Sequence, residues 1–152
     1  MAQLFTLIYC LFENLFGTEL AGYLAGEATQ RQQSNLFLSI GLLMLGITVV
    51  VAVIFYYVVN HPKLNNWWGW GIFMAANGLI NYIVARRRVL GDLMDGMMEK
   101  MDNATGVLVP LGITESDCEA FGLSNLIVSC IAFLIVSLII KWWSTNVPQA
   151  PF

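Results

Sequence analysis

The chain has 152 residues, 58 % of them hydrophobic and only 11 % charged. An ordinary soluble domain carries roughly 45–50 % apolar and about 25 % charged residues, so there are too few charges here to cover a soluble fold, and a soluble enzyme and a disordered tail are both excluded. Seven Lys and Arg against ten Asp and Glu give a net charge of −3, which leaves no basic footprint for nucleic acid and points to one small integral membrane domain over residues 1–152, with the lipid bilayer as its first partner.

Residues 1–26 predict an N-terminal amphipathic helix. Gln3, Thr6, Cys10, Glu13 and Gly17 fall at i, i+3, i+7, i+10 and i+14 on one narrow stripe, while Leu4, Leu7, Ile8, Leu11, Phe12 and Leu15 take the wide remaining face. No Lys or Arg precedes Arg31. The basic start of a secretory leader is therefore missing, and so are the cations of a helix lying on anionic lipid. Either the segment packs against neighbouring subunits or dips into the membrane, its stripe facing protein or water, or it forms a fourth span. A fourth span would bury Glu13 near the bilayer middle at a cost of about 2.5–3.5 kcal/mol, which favours the non-spanning arrangement.

Residues 36–59 carry no charge and predict the clearest transmembrane helix. At ~1.5 Å per residue they reach ~36 Å, against a hydrocarbon core of ~30 Å. The link 60–66, with Pro62 among several asparagines, turns the chain back into a second span at 67–85. Trp67, Trp68 and Trp70 mark the bilayer surface at its start. On this helix Gly71, Ala75 and Gly78 make a smooth face for a neighbouring helix, and Asn77 and Asn81 put two amides on a nearby face. Amides in lipid need partners, so interhelical glue is the first expectation and the lining of a permeation path the second.

Residues 86–121 are expected to form a cytoplasmic helix and loop. Over 86–102, Leu90, Met94, Met97 and Met101 keep a packing stripe, and Asp92, Asp95, Glu99 and Asp102 recur on another face. This predicts an amphipathic helix whose adaptable methionine side takes a partner helix or a second copy. The acidic spacing matches no EF-hand loop. The third span is 122–140, closed by Lys141, Trp142 and Trp143. The capping pattern Thr114-Glu115-Ser116-Asp117 starts that helix near Glu115, and Asn125 is expected to meet Asn77 or Asn81. Arg31, Arg86, Arg87, Arg88 and Lys100 fall on one side of this arrangement, Lys63 and Lys141 on the other. The 86–88 side is accordingly placed in the cytoplasm and the C-terminus outside, in a plasma (inner) membrane. The sequon at 103–105 is then silent.

Cys10, Cys118 and Cys130 form no CxxC pair and His61 stands alone, so no zinc site is expected. There is no phosphate loop, HExxH, GxSxG or kinase signature, and no catalytic residue, metal or cofactor is expected. The fold class is all-α, a polytopic helical membrane protein with three transmembrane helices plus the N-terminal helix. Three thin helices bury little surface among themselves, which predicts a homo-oligomer or a repeated subunit. The expected function is a non-enzymatic membrane subunit that anchors or scaffolds a multiprotein assembly with other membrane or cytoplasmic proteins, in a machine for secretion, transport or defence. The alternative is a homo-oligomeric pore or ion channel lined by Gln3, Thr6, Cys10 and Glu13, or by Asn77 and Asn81.

Overall fold

The computed structural model describes residues 2–26, 35–58, 66–102 and 106–142, which are mostly helical. In chain order they form α1 (Ala2–Cys10), α2 (Glu13–Phe16), α3 (Thr18–Ala25), α4 (Leu36–Val53) running into a π-helical turn (Ile54–Val58), α5 (Trp67–Met94), β1 (Glu99–Met101), β2 (Leu108–Pro110) and α6 (Glu115–Lys141). They make two compact units, one from Met1–Leu42 with Tyr82–Ser124, the other from Leu43–Asn81 with Asn125–Phe152. The link at 60–65, the sequon at 103–105 and the C-terminus from Trp143 onward lie outside the described residues, as do Arg31, His61 and Lys63.

Two helices, Leu36–Val58 and Glu115–Lys141, are long and apolar enough to cross a membrane. A core helix of a soluble protein would be mostly buried; here only 33 % and 39 % of the most apolar stretch of each is. The third expected span lies within one continuous helix, α5, but falls short of the same measure. Trp67, Trp68, Trp70, Asn77 and Asn81 dilute its apolar character.

In the unit of Leu43–Asn81 and Asn125–Phe152, the core gathers Ala52, Phe55, Tyr56, Trp70 and Phe133. The Trp70 ring lies 6.0 Å from Phe133 and its Nε1 donates to Ser137 Oγ at 3.3 Å. This sets the start of α5 beside the end of α6, antiparallel. The exposed Trp67, Trp68 and Trp142 therefore collect at one end of the unit, as tryptophans at headgroup level do.

In the other unit α1 and α2 pack on the first turns of α4 and α6 through an aromatic cluster. Tyr9 stacks on Phe37 at 5.2 Å, and Phe16 meets Phe121 edge-on at 5.3 Å. Asn35 caps α4 by accepting the Leu38 N–H at 3.0 Å and donates to Thr6 Oγ1 at 3.2 Å. α6 begins at Glu115, where the capping pattern places it, and Asp117 Oδ2 accepts both the N–H and the hydroxyl of Thr114 at 2.8 Å.

Two expectations are corrected. Residues 1–26 are not one helix. Between α1 and α2 the N–H groups of Phe12 and Leu15 bond to carbonyls three residues back, at 2.9 Å each, which tightens the chain. Gly17, at φ 87 and ψ 150, then breaks it before α3, a backbone region open essentially to glycine alone. α1 has 9 residues, about 14 Å of helix, and α2 and α3 are shorter still, so none of the three is long enough to cross a membrane by itself. The helix expected over 86–102 stops at Met94. Gly96 turns at φ 65, its N–H bonds Leu93 O at 3.2 Å and the Met97 N–H bonds Asp92 O at 3.0 Å, the two bonds of a Schellman closure. The chain then enters an antiparallel hairpin that pairs Glu99 with Pro110, Lys100 with Val109 and Met101 with Leu108.

Candidate functional site

The densest polar arrangement is the seam between α5 and α6. Asn77 Nδ2 donates to Ser129 O at 3.1 Å, and Asn81 Nδ2 donates to Asn77 O at 3.0 Å and to Asn77 Oδ1 at 3.2 Å. Asn125 Nδ2 donates to Asn81 O at 2.9 Å. All three amides are buried, and the two bonds that cross between the helices, from Asn77 and from Asn125, contribute about 0.6–2 kcal/mol each. Asn81 Oδ1 has no hydrogen-bond partner among the described residues. Gly78 faces the same seam, where a Cβ would stand 3.0 Å from Cys130 Sγ. Gly71 and Ala75 do not share it: Gly71 borders open space and Ala75 is exposed. The small-residue stripe thus divides, Gly78 against α6 and the other two outward.

In the unit holding α1–α3, Asp92 is only 8 % exposed. It accepts the Tyr23 hydroxyl at 3.3 Å and lies 3.7 Å from the Arg88 guanidinium. Burial, reinforced by the neighbouring Asp92 charge, pushes the Tyr23 phenol above its ordinary range, so it donates at neutral pH. Glu19 Oε2 accepts the Gly112 N–H at 2.8 Å, and Oε1 lies 3.6 Å from Lys100 Nζ. Arg86 pairs with Glu119 at 3.0 Å. Beside Glu19 and Asp117 a cleft of about 240 Å³ opens. Both carboxylates make hydrogen bonds beside it, Glu19 with Gly112 and Asp117 with Thr114. Among the described residues no group of three or more His, Cys, Asp or Glu could hold a metal ion.

The N-terminal stripe survives only in part. Gln3 and Cys10 are exposed, Thr6 and Glu13 half-buried. The residues of 86–102 do not share one face. Leu90 is half-buried and Asp92 buried on α5; Met94 and Asp95 are exposed at its end; Met97 is exposed beyond it; Glu99 and Met101 belong to β1; and Asp102 follows that strand.

The chain matches no protein-family model, no curated protein and no solved structure. Function rests on its own geometry. Beyond the residues singled out in the sequence, that geometry brings forward Tyr23 and Glu19, and it divides the wide apolar N-terminal face, leaving an exposed leucine row, Leu4, Leu7, Leu11 and Leu15. The row has a signal, a spacing of i, i+3, i+7 and i+11. Phe5, Tyr9, Phe12 and Phe16 repeat nearly the same interval one residue on, and polarity does not separate two apolar rows. Tyr23 and Asp92 lie 69 residues apart, and no local pattern links them.

Proposed function

We propose that the chain is a multi-pass membrane subunit without enzymatic activity that associates with copies of itself and anchors or scaffolds a multiprotein membrane assembly for secretion, transport or defence. One observation carries the membrane part. The two most apolar helices keep the larger share of their most apolar stretches outside the protein, and on α6 the exposed residues Ile127, Ile131, Ile135 and Leu138 form an outward row. α5 is the third span by a different criterion: from Trp67 to Arg86 it advances about 28 Å, close to the ~30 Å of hydrocarbon, with tryptophans at one limit and arginines at the other. Arg86, Arg87 and Arg88 then face the cytoplasm of an inner membrane, with the C-terminus outside.

Scaffolding is favoured over a pore lined by Asn77 because its amide donates across the α5–α6 seam to Ser129 O and accepts from Asn81. An amide with both ends engaged inside one chain has no face left for a lumen. Native mass spectrometry of the protein extracted in mild detergent tests the proposal. A self-associated species that carries other proteins supports it. A closed homo-oligomer that conducts ions in planar bilayers replaces it with the pore, and a lone monomer overturns both.

A further inference from the structure

We infer that α1 and α2 form a short re-entrant element whose leucine row is seated among the acyl chains of one leaflet. The inference rests on the membrane placement proposed above. The inward face of this segment is already used, since Phe5, Tyr9 and Phe16 are buried. The opposite face carries Leu4, Leu7, Leu11 and Leu15, which are 57 %, 69 %, 74 % and 58 % exposed. Two broad faces are therefore apolar, leaving only the narrow stripe of Gln3, Thr6, Cys10 and Glu13 to meet water or headgroups, and a helix apolar over so much of its circumference is not at home in water.

The depth of the element follows from its contacts within the same unit. A Cβ on Gly41 would clash with the Phe5 ring, so α1 lies directly against α4 at that glycine. Gly41 is more than one turn into a helix that begins at Leu36 behind the Asn35 cap. At ~1.5 Å per residue the contact sits roughly 8 Å inside the apolar stretch. Leu42 is the next residue and is itself 47 % exposed, so the span has outward apolar surface at the depth of this contact. The charges weigh against the headgroup alternative. Residues 2–26 hold no Lys or Arg, which a helix resting on anionic lipid would bring, and the Glu19 carboxylate is taken by Gly112 and Lys100.

The test is site-directed spin labelling of the full chain in phosphatidylcholine vesicles. Leu7→Cys and Leu11→Cys are made on Cys10→Ser, which keeps Cys118, buried, and Cys130, half-buried; the parent gives their background signal. Ile131→Cys on the exposed face of α6 and Thr18→Cys at the start of α3 serve as references. At positions 7 and 11 oxygen collisions should exceed those with a water-soluble nickel chelate, as at 131, with the reverse order at 18. Nickel-chelate access at 7 and 11 with lipid at 131 overturns the inference and leaves the membrane subunit standing. Nickel-chelate access at 131 as well overturns both. Dipolar broadening between labels at position 7 replaces lipid by a second copy on this face and also overturns the inference.

Discussion

Asn77 and Asn81 stand one turn apart and do different things. Asn77 uses both ends of its amide, Nδ2 toward Ser129 O and Oδ1 as acceptor for Asn81. Asn81 uses only Nδ2, and its buried Oδ1 has no partner among the described residues. A buried acceptor left unpaired costs about 1–3 kcal/mol, so replacing Asn81 removes that cost together with its bonds. The bond from Asn125 Nδ2 survives such a change, because it goes to the backbone oxygen of residue 81. Asn77→Leu, by contrast, deprives Ser129 O of its donor and removes an acceptor from Asn81. We expect Asn77→Leu to lower stability by about 1–2 kcal/mol, and Asn81→Leu to lower it by clearly less, in unfolding titrations of micelle-embedded protein. Equal losses would mean that the unpaired oxygen carries no cost.

Among the elements, α3 is tied to α5 by the buried hydrogen bond from Tyr23 to Asp92. The phenol must keep its proton to donate, and the fold raises its pKa. A group with a raised folded pKa adds stability that is complete below the unfolded value, near ~10 for tyrosine, and is lost as pH climbs through that value toward the folded one. The thermal midpoint should accordingly fall above pH ~10, and Tyr23→Phe should flatten part of that fall while costing about 1 kcal/mol at neutral pH. Parallel pH profiles for variant and parent would dissociate Tyr23 from the alkaline loss. Element boundaries are legible in the sequence where backbone chemistry marks them: Thr114 and Asp117 announce the start of α6. Gly96 marks the end of α5 as clearly, yet the methionine and acidic periodicity runs on past it, and that periodicity is met by no helix beyond Met94. Gly17 divides the N-terminal segment in the same way, through a conformation its apolar neighbours do not reveal. That the amides of α5 and α6 need partners is legible from their residue types. Which oxygen is left over depends on the axial offset of the two helices, and sequence does not carry it.

At the scale of the whole molecule, the apolar surface left outside decides what the protein associates with. On α5 the outward residues Ile72, Ala75, Ala76 and Leu79 are exposed, with Gly71 open beside them. Small residues between large ones leave a notch that lipid fills without gain but a second helix fills with close backbone contact. The self-association proposed above, if it runs through this notch, is expected to be sensitive to bulk there and insensitive to charge. Gly71→Leu combined with Ala75→Leu should shift the native mass in mild detergent toward the monomer while the helical circular dichroism stays unchanged. Gly78→Leu is the contrasting variant. Its side chain would meet Cys130 and Leu126 inside the α5–α6 seam, so it should lower the unfolding midpoint of the chain itself, whatever its assembly. An unchanged mass for the Gly71 and Ala75 double variant would move the self-association surface to another face, with α4 and its exposed Gly46 next in line. A loss of mass in that variant accompanied by a lowered midpoint would instead mean that Gly71 and Ala75 serve the fold of one chain rather than the joining of two.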